Sequence, residues 1–360
     1  MGCLVERYKK ELEKSIPEVD LYIKYSEYST LWEQIEKLLS NGKGNVDFEK
    51  FTDRVITTGE NYAYIKIADG CSNCCTFCAI PKIRGMQKSR TMESLVEEAN
   101  KLAEQGYEEI ILTAQDTTRY GQDIYGEPKL AELLQEICKI DKIKWIRILY
   151  SYPETITDKL IQVIKENNKI CNYFDIPIQH ISDSVLKRMN RKYTTDQFRH
   201  VVELLRNAYP EVHLTTDVIV GFPGETEEDF DILMDFIQKM QFDHLGAFLY
   251  SREEGTVAYG MKNQVHYQTK KRRYEKLMQE QRKICYQKNK AWIGQEMEGL
   301  VISADHDHHR YLLRSGWNAP DDIDGEIHFT AKKDLALGDK VKIKITACYG
   351  YDLEGEYIEE

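Results

Sequence analysis

From about residue 60 onward, short runs rich in β-branched and aromatic residues alternate with longer stretches whose apolar residues recur at helical spacing. The runs predict strands over residues 62–67, 110–113, 145–149, 173–176, 214–220 and 245–250. The stretches predict amphipathic helices over residues 92–104, 129–138, 156–165, 195–207 and 227–240. Six strands joined by crossover helices favour an α/β fold, an incomplete (βα)6 version of the eightfold TIM-like barrel, over a flat doubly wound sheet.

The two ends of the chain have different patterns. A charged helical stretch over residues 268–291 leads into short alternating runs at 297–302, 310–313, 326–329 and 340–347, which are typical of a small all-β barrel. The first fifty residues predict one helix, one strand and one helix, which are too few to bury a core. We therefore predict a remnant of an amino-terminal domain over 1–50, the α/β barrel over 51–290 and a β-barrel over 291–360.

Composition narrows the functional classes. The 360 residues are 42% hydrophobic, which supplies material for real cores. No apolar run approaches the roughly 20 residues of a membrane span, and the amino terminus lacks the apolar stretch of a signal peptide. These features predict a cytoplasmic protein without a membrane partner. The net charge of −11 disfavours nonspecific binding to nucleic acid.

Four of the nine cysteines lie within eight residues, at Cys71, Cys74, Cys75 and Cys78. Two abutting CxxC pairs would suggest zinc, but zinc sites usually separate their pairs by a dozen or more residues, since each pair forms its own knuckle. The alternative takes Cys71, Cys75 and Cys78 as CxxxCxxC. Three thiolates on a [4Fe-4S] cluster leave one iron open to chelate S-adenosylmethionine (SAM). An exchange of Cys74 for Cys75 as ligand stays open.

Polar residues at or near the predicted strand ends are further candidates, because barrel enzymes collect their chemistry at the carboxyl ends of the strands. They are Gln115, Asp175, Gln179 and His180. Each would bind SAM or position a substrate, or else satisfy loop backbone; for His180 the second role is favoured over that of a proton carrier.

A glycine-rich turn with Gly221 and Gly224 follows the fifth predicted strand and opens a helix. Glycines there allow close backbone approach to a ligand and present helix amides to it. The alternative is a tight turn with a helix cap at Thr226. Phe77 flanks the cysteines as a further candidate.

Two charged stretches have simpler interpretations. The string Asp-His-Asp-His-His at 305–309 resembles a metal tract, but its place between two predicted strands favours an exposed hairpin loop. The basic run at 270–273 lies on the long predicted helix, where we expect solvated cations.

The segment Cys71 to Cys78 resembles the radical SAM motif, and its continuation Ala-Ile-Pro-Lys-Ile-Arg-Gly at 79–85 resembles the methylthiotransferase family. The tRNA-modifying branches of that family share the chemistry but differ at 113–118. Further segments at 112–121, 152–154, 175–180 and 250–256 resemble the RimO branch of the family. Members of that branch modify a ribosomal protein.

The resemblance implies a radical SAM domain with a [4Fe-4S] cluster and SAM as cofactors, and it places the turn at Gly221 beside the adenosine. The string Gly-Cys-Leu-Val-Glu-Arg-Tyr at 2–8 is similar to the last of three cysteine motifs that bind a second [4Fe-4S] cluster in the family. Cys3 would then be one ligand, and its partner cysteines would lie upstream. The resemblance thus predicts an amino-terminally truncated chain, and it leaves the electron donor and the sulfur source unassigned.

The carboxy-terminal barrel resembles a TRAM domain, a module that often binds RNA. Residues 291–360 nevertheless hold 7 lysines and arginines against 15 aspartates and glutamates, a net charge of −8. An acidic barrel forgoes the counterion release that drives binding to phosphates, so it predicts a basic partner. The resemblance implies the twelfth protein of the small ribosomal subunit, with a target aspartate. A tRNA methylthiotransferase and a ribosome-binding module without turnover are the alternatives.

Overall fold

The structure is a computed structural model that describes residues 1–39, 55–59, 61–320 and 323–359. The amino-terminal segment contains helix α1 (Cys3–Ser15), a 3-10 turn (Tyr25–Thr30) and helix α2 (Leu31–Leu39). The strand predicted there is reduced to one isolated bridge between Gly2 and Lys24. The predicted boundary at residues 50 and 51 lies outside the described residues.

Eight strands follow, six of which match the predicted ones to within one residue at either end. They are β1 (Tyr62–Lys66), β2 (Ala68–Asp69), β3 (Lys88–Ser89), β4 (Glu109–Thr113), β5 (Trp145–Ile148), β6 (Tyr173–Asp175), β7 (His213–Val220) and β8 (His244–Leu249). The two short ones, β2 and β3, form an antiparallel pair beside the cysteine segment.

The six longer strands form a parallel array in chain order. Strand β1 pairs with β4, β4 with β5, β6 with β7, and β7 with β8. An isolated parallel bridge between Ile146 and Ile170 joins the two halves at β5 and β6. The predicted incomplete barrel is confirmed.

Helices connect the strands and cover their outer faces. They are α3 (Ile80–Ile83), α4 (Met92–Glu104), α5 (Gln122–Tyr125), α6 (Leu130–Cys138), α7 (Asp158–Glu166), α8 (Asp183–Met189), α9 (Thr195–Ala208), α10 (Glu227–Met240) and α11 (Tyr267–Lys290). Short 3-10 turns lie at Pro153–Thr155 and Ala258–Gly260. Threonine side chains accept a hydrogen bond from the third amide of four crossover helices, which explains where these helices begin; the caps are Thr91, Thr157, Thr194 and Thr226.

Alternate residues of the strands face two different cores, as the period of a strand requires. Ile65 of β1 and Leu112 of β4 pack outward among the helices in the large core. Tyr62 and Ile111 face the interior, where Ala319 of the carboxy-terminal barrel packs against them. The carboxy-terminal barrel therefore contributes to the inner core of the α/β unit.

The carboxy-terminal unit is a closed five-stranded barrel with strand order β10-β11-β13-β12-β9. Its strands are β9 (Glu296–Asp305), β10 (Arg310–Ser315), β11 (Ile327–Thr330), β12 (Lys340–Tyr349) and β13 (Asp352–Tyr357). The predicted hairpin loop is confirmed, because β9 ends at Asp305 and β10 begins at Arg310. In the described part of the chain, every helix is too short or too polar to traverse a lipid bilayer.

Candidate functional site

The cysteine segment follows strand β2 as a loop that buries some thiols and exposes another. Cys71 and Cys75 are buried, and Cys78 is half-buried. Cys74 is exposed and has a positive φ of 52°, so its side chain points into solvent. The two alternative spacings thus differ in geometry, since Cys75 is withdrawn into the protein and Cys74 is not.

Glycine permits the start of this loop. Gly70 has a φ of +73°, and a Cβ on it would lie 2.4 Å from the carbonyl oxygen of Met86. The neighbouring N–H of Cys71 donates to the carbonyl oxygen of Gly85 over 3.1 Å. The segment after the cysteines therefore folds back onto the segment that precedes them.

Burial favours the protonated form of two of these thiols, Cys71 and Cys78. Burial raises the pKa of Cys71 to about 11. Burial also raises the pKa of Cys78, although the N–H of Ile80, 3.5 Å from its sulfur, opposes the rise. Neutral buried thiols are poor ligands, and a metal centre must displace their protons and supply positive charge in exchange. Such a donor set suits a highly charged iron-sulfur cluster.

The spacing of possible ligand side chains bears on the zinc alternative. Among the described residues, no three His, Cys, Asp or Glu side chains converge closely enough to hold one metal ion. A zinc site needs four ligands around a single point. In a four-iron cluster each thiolate binds a different iron, so Cys71, Cys75 and Cys78 need not converge.

A buried hydrogen-bond network connects the cysteine loop to the end of strand β4. The side-chain amide of Asn73 donates to Oδ2 of Asp116 over 2.8 Å, and Thr118 Oγ1 donates to Oδ1 over 3.0 Å. Arg119 Nε pairs with the same carboxylate over 3.1 Å. The Oε1 atom of the adjacent Gln115 is buried and has no hydrogen-bond partner in the described part of the chain. Gln115 is thus an acceptor available to a ligand ammonium group.

Two residues beside Cys75 were not predicted from the sequence. The guanidinium of Arg191 lies 3.7 Å from the sulfur of Cys75, and the hydroxyl of Tyr152 lies 4.0 Å from it. Arg191 follows helix α8, a seven-residue helix that the hydrophobic pattern did not predict. Asparagine favours the left-handed conformation at which helices often end, and Asn190 has a φ of 60° directly after α8. Its residue type was therefore a local signal of a helix end.

The glycine turn after strand β7 is closed by its own carboxylate. Gly221 N–H donates to Oε2 of Glu225 over 2.6 Å, and Gly224 N–H donates to the carbonyl oxygen of Asn263 over 2.8 Å. Thr226 caps helix α10, as the alternative interpretation predicted. Both glycines adopt positive φ, so their contribution to a ligand site would lie in backbone shape rather than in free amides.

Gln179 and His180 lie in the segment after strand β6. Gln179 has a φ of 63°, and its N–H donates to the carbonyl oxygen of Asp217 over 2.7 Å, which ties the segment to β7. His180 is fully buried, and its Nδ1 accepts a hydrogen bond from the N–H of Ser182 over 3.0 Å. Burial lowers the pKa of His180 to about 3, so the ring is neutral near pH 7, and its Nε2 is buried without a hydrogen-bond partner in the described part of the chain.

Asp175 lies at the carboxyl end of strand β6. Its Oδ2 accepts a hydrogen bond from the N–H of Tyr150 over 3.0 Å. Burial, reinforced by the carboxylates of Asp217 and Asp324, raises the pKa of Asp175 to about 7. Burial likewise raises the pKa of Asp217 to about 6. These carboxyls can hold protons near neutral pH.

A cavity of about 540 Å³ lies between the α/β unit and the carboxy-terminal barrel. Aromatic and acidic side chains line it, including Tyr150, Tyr173, Asp175, Asp217, Asp324 and Tyr351. Asp175 is the one predicted site residue in its lining. The cysteines, Gln115, Gln179 and both turn glycines lie elsewhere, so the predicted residues do not all share one cavity.

Phe77 and Cys3 occupy different surroundings. Phe77 packs edge-on against Phe222, with ring centroids 6.3 Å apart, as part of a small aromatic core. Cys3 begins helix α1, and its sulfur lies 3.6 Å from the guanidinium of Arg84, in the segment that follows the three cysteines. Helix α1 thus places Cys3 against the segment that follows the cysteine loop, although the two are far apart in sequence.

Two basic residues of helix α11 correct a prediction. Lys270, expected to be solvated, is half-buried and donates from Nζ to the carbonyl oxygen of Tyr250 over 2.8 Å. Arg273 was expected to be a solvated cation, but it is buried and pairs with Glu225 over 2.7 Å. The buried carboxylate of Glu225, which accepts a hydrogen bond from the N–H of Gly221, is paired with this guanidinium from helix α11. Lys271 and Arg272 are exposed, as expected.

Comparisons with known proteins agree with this architecture. A family model described as the radical SAM superfamily matches residues 65–237, and a TRAM domain model matches residues 293–358. A ribosomal protein uS12 methylthiotransferase RimO from Alkaliphilus oremlandii is 50% identical over 360 residues, covering 100% of this chain and 82% of the relative. A protein of the same name from Acetivibrio thermocellus is 45% identical, again covering 100% and 82%. The cobalamin-dependent SAM radical enzyme OxsB shares the fold, with a TM-score of 0.50 and 12% identity over 78% of this chain and 42% of its own.

Proposed function

The chain belongs to the RimO family of ribosomal protein uS12 methylthiotransferases, within the radical SAM superfamily, and we propose that it replaces a β-carbon hydrogen of an aspartate in that protein with a methylthio group. The observation that carries the proposal is identity of 45–50% to curated relatives along the whole chain, carboxy-terminal barrel included. Members of the superfamily use a [4Fe-4S] cluster and SAM. The chain is accordingly a transferase.

The proposed cluster ligands are Cys71, Cys75 and Cys78. Cys71 and Cys75 are buried and Cys78 is half-buried, whereas Cys74 is exposed. When bound, the reduced cluster would supply the electron that cleaves SAM to methionine and a 5'-deoxyadenosyl radical. The protein would hold the loop through Gly70, offer Oε1 of Gln115, which has no hydrogen-bond partner among the described residues, and shield Cys71 and Cys75 from water. Phe77, Asp175, Gln179, Gly221 and Gly224 remain predicted cofactor-binding residues.

Cys3 is the proposed ligand of the second cluster. Its place 3.6 Å from Arg84 supports this assignment, because Arg84 belongs to the segment directly after the proposed ligands of the first cluster. A sulfur source there would lie near the site of radical chemistry. The predicted domain ranges 1–50, 51–290 and 291–360 are part of the same proposal.

The substrate assignment rests on charge as well as kinship. The carboxy-terminal 70 residues carry a net charge of −8, which suits a basic ribosomal protein better than the phosphates of tRNA. A ribosomal substrate also implies the cytoplasm as the location.

Anaerobic reconstitution with iron and sulfide, followed by incubation with SAM, a reductant and either uS12 or tRNA, tests the function. We expect 5'-deoxyadenosine from this chain and, from a protein that includes the cysteines predicted upstream of Cys3, a methylthio mass increase on an aspartate of uS12, with unmodified tRNA. C71A is the inactive control and should release no 5'-deoxyadenosine. Modification of tRNA would favour the tRNA branch, and wild-type protein that binds uS12 without cleaving SAM would be a binding module.

A further inference from the structure

Arg191 is a buried cation beside the cysteine loop. Its side chain lies between two tyrosine rings, with Cζ 4.4 Å from the ring centroid of Tyr152 and 5.3 Å from that of Tyr193. The residue is only 7% exposed. In the described part of the chain, no Asp or Glu forms an ion pair with it, and its Nε is buried without a hydrogen-bond partner. A buried charge is costly unless an anion compensates it.

The polar contacts of Arg191 point to the cysteine loop. One guanidinium nitrogen donates to the carbonyl oxygen of Pro177, and Nη1 lies 3.7 Å from the sulfur of Cys75. Glu154 is an exposed residue near enough for the guanidinium to oppose the rise in the pKa of its carboxyl, but it forms no ion pair with Arg191 in the described part of the chain. One polar contact of Arg191 is therefore with a proposed cluster ligand, Cys75.

The backbone fixes this approach. Helix α8 ends at Met189, whose carbonyl oxygen accepts a hydrogen bond from the N–H of Thr76 over 3.0 Å. The side-chain amide of Asn190 donates to the carbonyl oxygen of Cys74 over 2.9 Å. These two bonds attach the end of α8 to the cysteine loop, so Arg191 reaches Cys75 from a rigid base.

We propose that Arg191 is the counter-charge of the cluster held by Cys71, Cys75 and Cys78, and that it stabilises the reduced, more negative state of that cluster. This inference rests on the proposed function. Three thiolates contribute three negative charges, and reduction adds one electron to the same buried volume. A guanidinium at 3.7 Å in a low-dielectric setting favours the added charge, and net charge and hydrogen bonds to sulfur are among the factors that set cluster potentials. Arg191 thereby makes electron entry easier.

The test compares reconstituted wild-type protein with R191M, R191Q and R191K. The midpoint potential is measured by a redox titration followed by electron paramagnetic resonance, without substrate. At fixed solution potential we expect R191M and R191Q to lower the reduced-to-oxidised ratio at least tenfold, equivalent to about 59 mV for one electron. R191K keeps the charge and should remain within about threefold of wild type.

Arg188 provides the matched control. It lies three residues before Arg191, near the end of helix α8, and its side chain donates to the carbonyl oxygens of Pro223 and Gly224 over 3.2 and 3.1 Å rather than to a cysteine sulfur. R188M should leave the midpoint potential unchanged. Should R191M bind no iron, R191Q and R191K supply the comparison of charge with hydrogen bonding.

Unchanged potentials in R191M and R191Q would overturn the inference. The inference would also fail if R191Q kept the wild-type midpoint potential and R191K did not, because hydrogen bonding and not charge would then be responsible. Loss of SAM affinity with an unchanged potential would assign the guanidinium to SAM instead. If wild-type protein takes up no redox-active cluster, the proposed function itself fails, which is a separate result.

Discussion

Arg314 of strand β10 donates a hydrogen bond from Nε to Oε2 of Glu109, the first residue of strand β4, over 2.7 Å. The other carboxylate oxygen of Glu109 accepts a hydrogen bond from Arg147 Nε over 3.0 Å. All three side chains are at most 1% exposed. One carboxylate thus joins the small barrel to two neighbouring strands of the α/β unit, and Arg147 also donates to the carbonyl oxygens of Ser315 and Gly316.

Replacing Glu109 by glutamine should destabilise this junction strongly. E109Q leaves two buried guanidinium groups without an anion, and removal of one partner from a buried ion pair costs about 3–5 kcal/mol. We expect that loss in the free energy of unfolding, measured by denaturant titration, with faster hydrogen exchange in β10.

Its neighbour Glu108 is the control for that experiment. Glu108 pairs with Lys144 over 2.6 Å, and the two side chains are 27% and 43% exposed. Partly exposed pairs contribute about 0–1 kcal/mol, so E108Q should be close to wild type. Equal losses in E108Q and E109Q would contradict a special role for the buried carboxylate.

Alanine substitutions should separate Cys74 from Cys75. Cys75 is buried 3.7 Å from Arg191, whereas Cys74 is exposed at the left-handed turn of the loop. We expect C75A to lose most of the bound iron and the absorption of the cluster, and C74A to retain both. Iron and acid-labile sulfide analysis after anaerobic reconstitution is the measurement, and loss of iron in C74A alone would reverse the ligand assignment.

The carboxylate of Glu225 should matter for SAM binding through the glycine turn. It accepts the N–H of Gly221 over 2.6 Å and pairs with buried Arg273 over 2.7 Å. E225Q removes the charge that holds both, so we expect SAM affinity to fall about tenfold, equivalent to about 1.4 kcal/mol. Equilibrium binding of SAM to the reconstituted protein measures this.

Glu227 offers a matched comparison on the same helix end. It also pairs with Arg273, over 3.0 Å, but is 50% exposed. Water can replace its contribution, so E227Q should alter SAM affinity less than about threefold. A larger effect from E227Q than from E225Q would refute the role assigned to the turn.

The barrel architecture was predictable because its strands and helices have clear periodicity. Buried β-branched runs and helices capped by threonine, such as the one that begins after Thr91, gave boundaries within a few residues. Strand β13 was not predicted, because it is polar and acidic. Only Leu353 and Gly355 of this strand are buried, and the strand exists because β11 and β12 pair with it on either side.

The candidate site was only partly predictable, for a related reason. The cysteine spacing is local in sequence, so the cluster ligands could be inferred from it. Arg191, Tyr152 and Asp116 contact the cysteine loop from positions 43 to 116 residues away in sequence, and local periodicity and spacing do not predict such contacts. The cavity beside Asp175 likewise depends on residues from both units, which no local pattern records.

Asp175 should make stability depend on pH in a direction opposite to that of a paired carboxylate. Its pKa is raised to about 7, against an ordinary value of about 3.9, so between these values the folded protein holds a proton that the unfolded chain releases. Stability should therefore fall as pH rises from about 4 to 7 and level off above that.

D175N removes the titration. Its free energy of unfolding relative to wild type should thus increase by on the order of 1.4 kcal/mol per pH unit across this range. Denaturant titrations at several pH values measure this difference, and D158N, at an exposed aspartate of helix α7, is the control that should parallel wild type. Asp217 has a raised pKa as well and interacts with Asp175, so the difference between the two curves reports on Asp175 together with that interaction. Parallel curves for D175N and wild type would mean that Asp175 is ionised in the folded protein, and that the cavity admits enough water to solvate it.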